Sequence, residues 1–416
     1  METSSVINRS LSQLARAALR LALAILLAAP GGTAAQKATP VPKPASAKAA
    51  PTADPALVRA RWHVLGARPL AMFYYSNDSL GLEALRAHAQ AMTLLSPQCF
   101  WIDRDGFVHG AVPADVLEAA SRADLPVMPL AINPGFDRPT AHALLRNVKA
   151  QERAAMYLGY LAQRDHYLGW QLDLENIDPA DKLHYTRFVE RVAARLHRDR
   201  RLLSVAVVPR FSDAYPDNRP VEFRTGEWGA PFDFRALGRV ADFLTLMAYD
   251  QHSTTSPPGP VAGYDWAKAA LDYAVRRVPR TKLLLGIPLY GREWVETSQG
   301  ATSRSLAYKD LEPYLGSNGS EPRWDERWRT TWFQMRDGEA QRTAWFDDYR
   351  SLREKLDLMQ LYRLRGFAAW RLGVEDPQFW ALAAQFEASR PQGARRALGA
   401  KKRERSARAS GTGQLP

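Results

Sequence analysis

Cysteine is all but missing from this chain: Cys99 stands alone among 416 residues. An internal disulfide and a cysteine-based zinc site are thereby excluded, and Cys99 itself reads as buried packing. Histidine is scarce too. The eight present contain no HExxH or comparable ligand pair, so neither a metal nor any other cofactor is expected, and His252 reads as a loop residue. No glycine-rich phosphate fingerprint follows the first apolar strand, which argues against a dinucleotide-binding fold. Membrane-length apolar runs are lacking as well. Leu21–Ala29 is too short for a comfortable span, and Arg9, Arg16 and Arg20 precede it. The small residues Gly31-Gly32-Thr33-Ala34-Ala35 follow, so residues 1–35 read as an export signal cleaved before Gln36. An uncleaved anchor is the alternative. Either way the body is expected in the periplasm or outside the cell, with no stable membrane span after cleavage.

Acids are sparse at both ends. Residues 1–60 hold seven Lys or Arg against two acids, and residues 391–416 seven against one. Of the formal +12, only about +1 is left for everything between. The basic character belongs to the tails, so a nucleic-acid-binding face is not expected. Residues 36–60 are rich in Ala, Pro and Lys and read as a tether. Residues 391–416 read as a disordered basic tail, leaving residues 61–390 as the folded body.

Within that body, β-rich apolar runs alternate with helical patterns. The strands are read at Pro69–Tyr75, Cys99–Asp103, Pro126–Ile132, Tyr167–Glu175, Leu202–Val208, Phe243–Ala248, Lys282–Leu289 and Gly366–Trp370. Helical patterns lie between them, Asp181–Arg198 and Tyr349–Tyr362 among them. Eight such units imply the α/β class and a closed (β/α)8 TIM barrel. The connection after the seventh strand is too long for a loop. It carries Trp294, Trp324, Trp328, Trp332 and Phe333, and aromatics at that density are costly in water. Residues 293–344 therefore read as a small inserted subdomain or lid.

Tyr167–Glu175 alternates by two, with Gln171, Asp173 and Glu175 on one face and Trp170, Leu172 and Leu174 on the other. In a barrel of this kind the site lies at the C-terminal strand ends. Those ends collect Tyr74, Tyr75, Asp103, Asn133, Asp173, Glu175, Arg210, Tyr249, Asp250, Tyr290, Arg292, Trp370 and Arg371. Carboxylates supply acid–base catalysis and aromatic rings stack on sugar faces, so this bowl points to glycoside chemistry.

Four stretches in order then carry a resemblance. Tyr167–Glu175 is similar to the signature strand of glycoside hydrolase family 18, aromatic-D-G-x-D-x-D-x-E, matching at Gly169, Asp173 and Glu175. Met247-Ala248-Tyr249-Asp250 resembles that family's M-x-Y-D, and Gly286–Arg292 its seventh strand. Gly366–Trp370 resembles its eighth strand with the closing tryptophan. Trp345–Asp348, with Ser351 and Lys355, is similar to the element leading into it. The likeness runs from about residue 165 to 380 and is nearest the compact bacterial exported and spore-coat branch. It implies a glycosidase acting on an N-acetylated glycan without cofactor. Glu175 would be the general acid, and Asp173 would orient the substrate's N-acetyl group, whose carbonyl oxygen is the nucleophile. Tyr249 would hydrogen-bond that acetamide, Asp250 would contact the sugar, Met247 would line the subsite and Trp370 would floor it. Tyr74, Tyr290 and Arg292 complete the expected substrate-binding set, with Arg292 and Arg371 also suited to pairing rim carboxylates.

Two positions depart from the pattern: Leu168 and Gln171 stand where the family has aspartates. Gln171 is expected to donate an amide hydrogen bond to Asp173, in place of a shared proton. Leu168 is expected to turn outward beneath a helix. A monomer is expected. The other readings are a non-catalytic sugar-binding barrel, against which the presence of Glu175 argues, and an envelope-glycan processing protein that works within an assembly.

Overall fold

A computed structural model describes residues 69–311, 313–315 and 321–388 of the protein. The expected export signal, tether and basic tail lie outside the described residues.

Eight parallel strands close into a barrel. They are β1 (Leu70–Tyr75), β2 (Leu94–Ile102), β4 (Leu130–Ile132), β5 (Gly169–Asp173), β6 (Leu202–Val207), β7 (Phe243–Leu246), β8 (Leu283–Pro288) and β14 (Gly366–Trp370). Each pairs in parallel with its neighbours, and β1 closes the ring by pairing with both β14 and β2. A short antiparallel strand, β3 (Val108–Gly110), hangs on β2. Helices fill the crossovers, as the alternating pattern requires. The sequence reading starts the second strand at Cys99, whereas β2 begins at Leu94. Pro97 interrupts the run, and the register shifts between Gln98 and Phe100.

The strand alternation sorts side chains into two environments. Outward residues such as Phe73, Trp170, Leu172, Val205 and Leu285 pack against the helices in the main core. Trp170 is wholly buried there, and its indole N–H donates to the Leu158 carbonyl at 2.8 Å. Inward residues Leu70, Met72, Leu94, Leu130, Leu202, Phe243 and Leu284 form an apolar floor. Two residues further along their strands stand Ser96, Ser204 and Thr245, which join Gln171 as buried polar side chains inside the barrel. Polarity thus rises toward the C-terminal mouth.

Leu168 belongs to this floor, with Met128 and Leu202, and does not turn outward beneath a helix as expected. It precedes the first strand residue, so the alternation has not yet begun there. The next residue, Gly169, allows β5 and β6 to come close, because a Cβ at 169 would lie 2.0 Å from the Leu202 carbonyl oxygen.

Between β8 and β14 lies a five-stranded antiparallel sheet. Its strands are β9 (Gly291–Thr297), β10 (Gly300–Leu306), β11 (Arg323–Asp325), β12 (Thr330–Asp337) and β13 (Ala340–Phe346), in the order β10-β9-β13-β12-β11. One face carries its own small core of Leu306, Leu311, Phe333, Ala344 and Phe346. The other carries Arg292, Trp294, Trp332 and Trp345, and the last two stack across β12 and β13 at 5.4 Å. The inserted subdomain expected from the aromatic density is therefore a sheet that begins and ends about two residues outside the anticipated limits. The chain leaves it through Asp347, a buried carboxylate that accepts from Ser351 Oγ at 2.8 Å and from Lys355. Asp348 then caps the helix Tyr349–Leu361 in a reciprocal pair with Ser351.

Candidate active site

Asp173 is the last residue of β5, and Glu175 follows two positions on. The chain is held there by hydrogen bonds from outside the strand. Asn133, at the end of β4, accepts from the Glu175 N–H at 3.0 Å and donates to the Glu175 carbonyl at 3.1 Å. Immediately beyond, Asn176 adopts a left-handed backbone (φ 52°), which ends the extended run of the strand. Arg138 braces that turn by donating to Asn176 Oδ1 at 2.8 Å, and Asn176 donates to the Phe136 carbonyl at 3.1 Å.

Burial dominates the electrostatics. It pushes the Asp173 carboxyl up to about 7. Glu175 is raised well above the ordinary carboxylate range by burial, and further by the charges of Asp173 and Asp250. Two acids in one enclosed space cannot both ionise cheaply, so the pair holds a proton near neutral pH. Three tyrosines face them. Burial raises Tyr74, Tyr249 and Tyr185, and the Asp173 and Glu175 charges add to this, so all three remain neutral hydrogen-bonding groups.

Tyr249 follows β7, and its ring lies against Gly286 of β8, where a Cβ would come within 2.9 Å of the ring. Trp370 closes β14 half-buried, its ring 5.2 Å from that of Tyr74 and tilted by 58°. Met247 is buried directly beyond β7. Glu175, Asp173, Gln171, Tyr74, Tyr249, Met247 and Trp370 thus stand at the inner face and C-terminal rim of the barrel.

Asp250 is engaged through one of its two carboxylate oxygens and is otherwise half-exposed. Oδ1 accepts from Tyr290 Oη at 2.5 Å and from Arg292 Nη2 at 2.6 Å. Tyr290 and Arg292 are consequently joined through Asp250, tying the start of the inserted sheet to the loop after β7. Gln171 departs from its expected bond to Asp173. Its amide nitrogen donates to Ser204 Oγ and Thr245 Oγ1, both at 2.9 Å, so both of its N–H bonds are engaged away from Asp173.

Other strand-end residues are absorbed by structure. Tyr75 turns outward into the main core. Asp103 holds the β2–β3 turn, accepting from the Asp105 and Phe107 N–H groups and from His109. Arg210, fully buried, is spent on the carbonyls of Ala230, Phe232, Ser212 and Asp213. Arg371 pairs with Asp78. His252 Nδ1 lies 2.9 Å from the Pro257 carbonyl, within its own loop. Among the described residues, no group of three or more His, Cys, Asp or Glu is arranged to hold a metal ion. No described helix is long and apolar enough to cross a membrane.

Sequence reasoning passed over Ser204, Thr245 and Tyr185. A signal existed for the first two: each is the lone hydroxyl in an otherwise apolar strand, LLSVAV and FLTL, in phase with the inward positions. Tyr185 gave none, because it lies at a core position of the helix Lys182–Arg198.

Residues 142–375 match the model for glycosyl hydrolases family 18. The fold superposes on a chitinase from Chromobacterium violaceum ATCC 12472 with a TM-score of 0.69 and 30% identity, covering 77% of this chain and all of that one. The uncharacterized glycosylase YvbX of Bacillus subtilis (strain 168) is 25% identical over 313 residues, 74% of this chain and 88% of its own length. The cortical fragment-lytic enzyme of the same organism is 26% identical over 307 residues, 72% of this chain and 69% of the enzyme.

Proposed function

The chain belongs to family 18 of the glycosyl hydrolases, and from that premise we propose that it cleaves β-linked N-acetylglucosamine-containing glycans with retention of configuration. The observation that carries the reading is the enclosed Asp173–Glu175 pair, raised by burial, with the Glu175 backbone gripped by Asn133. Raised carboxyls suit a general acid at neutral pH.

In this reading Glu175 gives its proton to the glycosidic oxygen as that oxygen leaves the anomeric carbon. The acetamide carbonyl oxygen of the same sugar forms the new bond to that carbon. This is the substrate-assisted exception to the two-carboxylate rule. Asp173, once ionised, accepts the acetamide N–H and balances the positive charge of the cyclic intermediate. Tyr249 donates to the acetamide oxygen and so orients it. Water, deprotonated by Glu175, then attacks the anomeric carbon from the face that the leaving glycosidic oxygen vacated and breaks its bond to the acetamide oxygen, so that configuration is retained. Trp370, beside Tyr74, offers the apolar platform beneath the sugar, with Met247 against it.

Relatives named for cortical fragments and for chitin support a linear N-acetylated glycan, of peptidoglycan or chitin type, as the substrate. The tyrosine and arginine tied to Asp250 shape the rim rather than bind directly. With this function we propose an exported monomer with residues 1–35 removed, a tether to residue 60, and a catalytic body ending near residue 390.

The test is incubation of the purified protein and of Glu175→Gln with chitin oligomers and with peptidoglycan, products being read by mass. Hydrolysis of either by the parent alone supports the reading. Intact glycans with the parent protein, on these and on other acetamido polymers, would reject it. Binding without turnover would instead favour a sugar-binding barrel, a reading for which Gln171 in place of an acid is the one specific observation.

A further inference from the structure

One aromatic residue at the barrel mouth has no part in the site described above. Trp101, next to last in β2, is 38% exposed. Its neighbours Phe100 and Ile102 both face the outer core, so the alternation turns Trp101 to the inner side of the sheet. The register fixes its place there. Trp101 pairs with Ile132 of β4, and Ile132 pairs with Asp173 of β5, so the three share one rung at the C-terminal mouth. Neighbouring strands lie about 4.8 Å apart, which puts the Trp101 backbone roughly 10 Å from that of Asp173. A single exposed aromatic is ordinary on a protein surface. Trp101 differs in being braced. It stands directly opposite His109 across β2 and β3, and the two rings stack at 5.6 Å and 13°. His109 is fixed in turn by Asp103, its Nε2 lying 2.7 Å from Oδ2, while Oδ1 accepts from the Asp105 and Phe107 N–H groups, both at 2.9 Å. The hairpin is itself pinned to the helix Val148–Arg164. A Cβ at Gly106 would lie 1.9 Å from the Ala150 carbonyl oxygen, and Arg153 donates to the Asp105 carbonyl. One face of the indole is thus covered by an imidazole that is itself held, while the residue stays open to solvent.

We propose that Trp101 is a second sugar platform, which stacks on a ring of the glycan remote from the bond that is cleaved, with His109 and Asp103 as the positioning residues that hold it. The proposal rests on the functional reading above and deepens it, because it names a substrate that extends beyond the sugars at the scissile bond. An indole offers a broad, rigid apolar face, which suits the apolar face of a sugar ring and needs no charge on the substrate. Trp370 stands on β14 and Trp101 on β2, with β1 between their strands. That separation is too wide for one ring to touch both, but a linear chain lying across the mouth reaches from one to the other. The substrate class is therefore a linear N-acetylated chain of several sugars.

Binding is read first without hydrolysis, in the full chain carrying Glu175→Gln. Nitrogen-15 NMR of the tryptophan indoles, with the Trp101 signal assigned by Trp101→Phe, is followed as chitobiose or chitohexaose is added. The Trp101 signal is expected to shift with the hexamer and to stay in place with the dimer. In calorimetric titration, Trp101→Ala should bind the hexamer about tenfold more weakly, the scale of one lost aromatic contact. His109→Ala should lose part of that affinity, and His109→Phe, which keeps a ring beneath the indole, should regain it. In the active chain, the loss of kcat/KM on Trp101→Ala should grow with oligomer length and be smallest on a chromogenic chitobioside. An indole that ignores the hexamer, or hexamer affinity unchanged in Trp101→Ala, overturns the proposal. An equal loss on short and long substrates does so too, since it marks a merely structural role. If Trp101→Ala does not fold, the indole shift and the two His109 variants decide. Hexamer bound through Trp101 but never cleaved by the parent rejects the hydrolase reading alone. Cleavage of the hexamer with Trp101 unaffected rejects this proposal alone.

Discussion

The carboxamide of Asn133 holds the backbone of Glu175 from both sides, accepting from its N–H at 3.0 Å and donating to its carbonyl at 3.1 Å. The two residues are 42 apart in sequence and lie just beyond the ends of adjacent strands. A side-chain amide thus stands in for the next rung of the β4–β5 ladder at the point where Glu175 must be aimed.

Replacing Asn133 by Ala leaves both backbone groups without their partner. Each loss is worth roughly 1–3 kcal/mol where water cannot substitute. Urea unfolding is expected to show a fall of about 2–4 kcal/mol. With glycan substrate, kcat should drop 10- to 100-fold while KM stays nearly constant, since the acid is misaimed by a fraction of an ångström. An unchanged kcat would mean that Glu175 is aimed by other contacts.

Glu175→Gln keeps the shape and removes the transferable proton. General acid catalysis contributes typically about 10²–10⁴-fold, and the loss of turnover is expected to be at least that large. Thermal stability should not fall, because a raised carboxyl near Asp173 is an electrostatic burden on the fold. Calorimetry beside the product assay checks both halves.

The raised Asp173 carboxyl has a stability consequence of definite sign. The folded form holds its proton up to about pH 7, whereas the unfolded chain releases it near 4. Between those values the folded state binds more protons, so stability falls as pH rises through the window. Asp173→Asn removes the titration. It should match the parent near pH 4 and exceed it at pH 8, by on the order of 2–4 kcal/mol. Equal parent and variant stabilities at pH 8, by urea unfolding, would contradict a buried, raised Asp173.

Gly286 tests the placement of Tyr249. A Cβ at 286 would lie 2.6 Å from the Leu246 carbonyl oxygen and 2.9 Å from the Tyr249 ring. The backbone oxygen cannot retreat cheaply, so Gly286→Ala should cost about 1–3 kcal/mol, as overpacking does. The tyrosine is displaced as well, and kcat/KM is expected to fall about tenfold or more by the same overpacking. Circular dichroism melts and steady-state kinetics separate these effects.

Asp250 joins the barrel rim to the inserted sheet through Tyr290 and Arg292. Asp250→Ala leaves the nearly buried Arg292 guanidinium without that carboxylate. The aspartate is half-exposed, so the loss is discounted to about 1–2 kcal/mol. KM should rise more than kcat falls, because the rim loses shape while the acid stays in place. The split between the two constants is the measurement.

Much of this molecule is legible in its sequence, for reasons of periodicity. The alternation through Gln171, Asp173 and Glu175, the apolar runs, and the spacing of helical patterns are local properties. They yield eight strands, their order, and the identity of the residues at their tips. The tryptophans after Tyr290 likewise announce an inserted subdomain, because so much aromatic area needs covering. Polar partners are different. Gln171 is claimed by Ser204 and Thr245, which lie 33 and 74 residues away, and only closure of the barrel brings them together. Asn133 reaches Glu175, and Tyr290 and Arg292 reach Asp250, in the same way. Leu168 shows the limit of alternation itself, which begins only where the ladder does. The sequence by itself determined which side chains point into the barrel. The tertiary structure alone decided which of them satisfy one another, since a hydrogen bond depends on distance and direction across strands that no local pattern encodes.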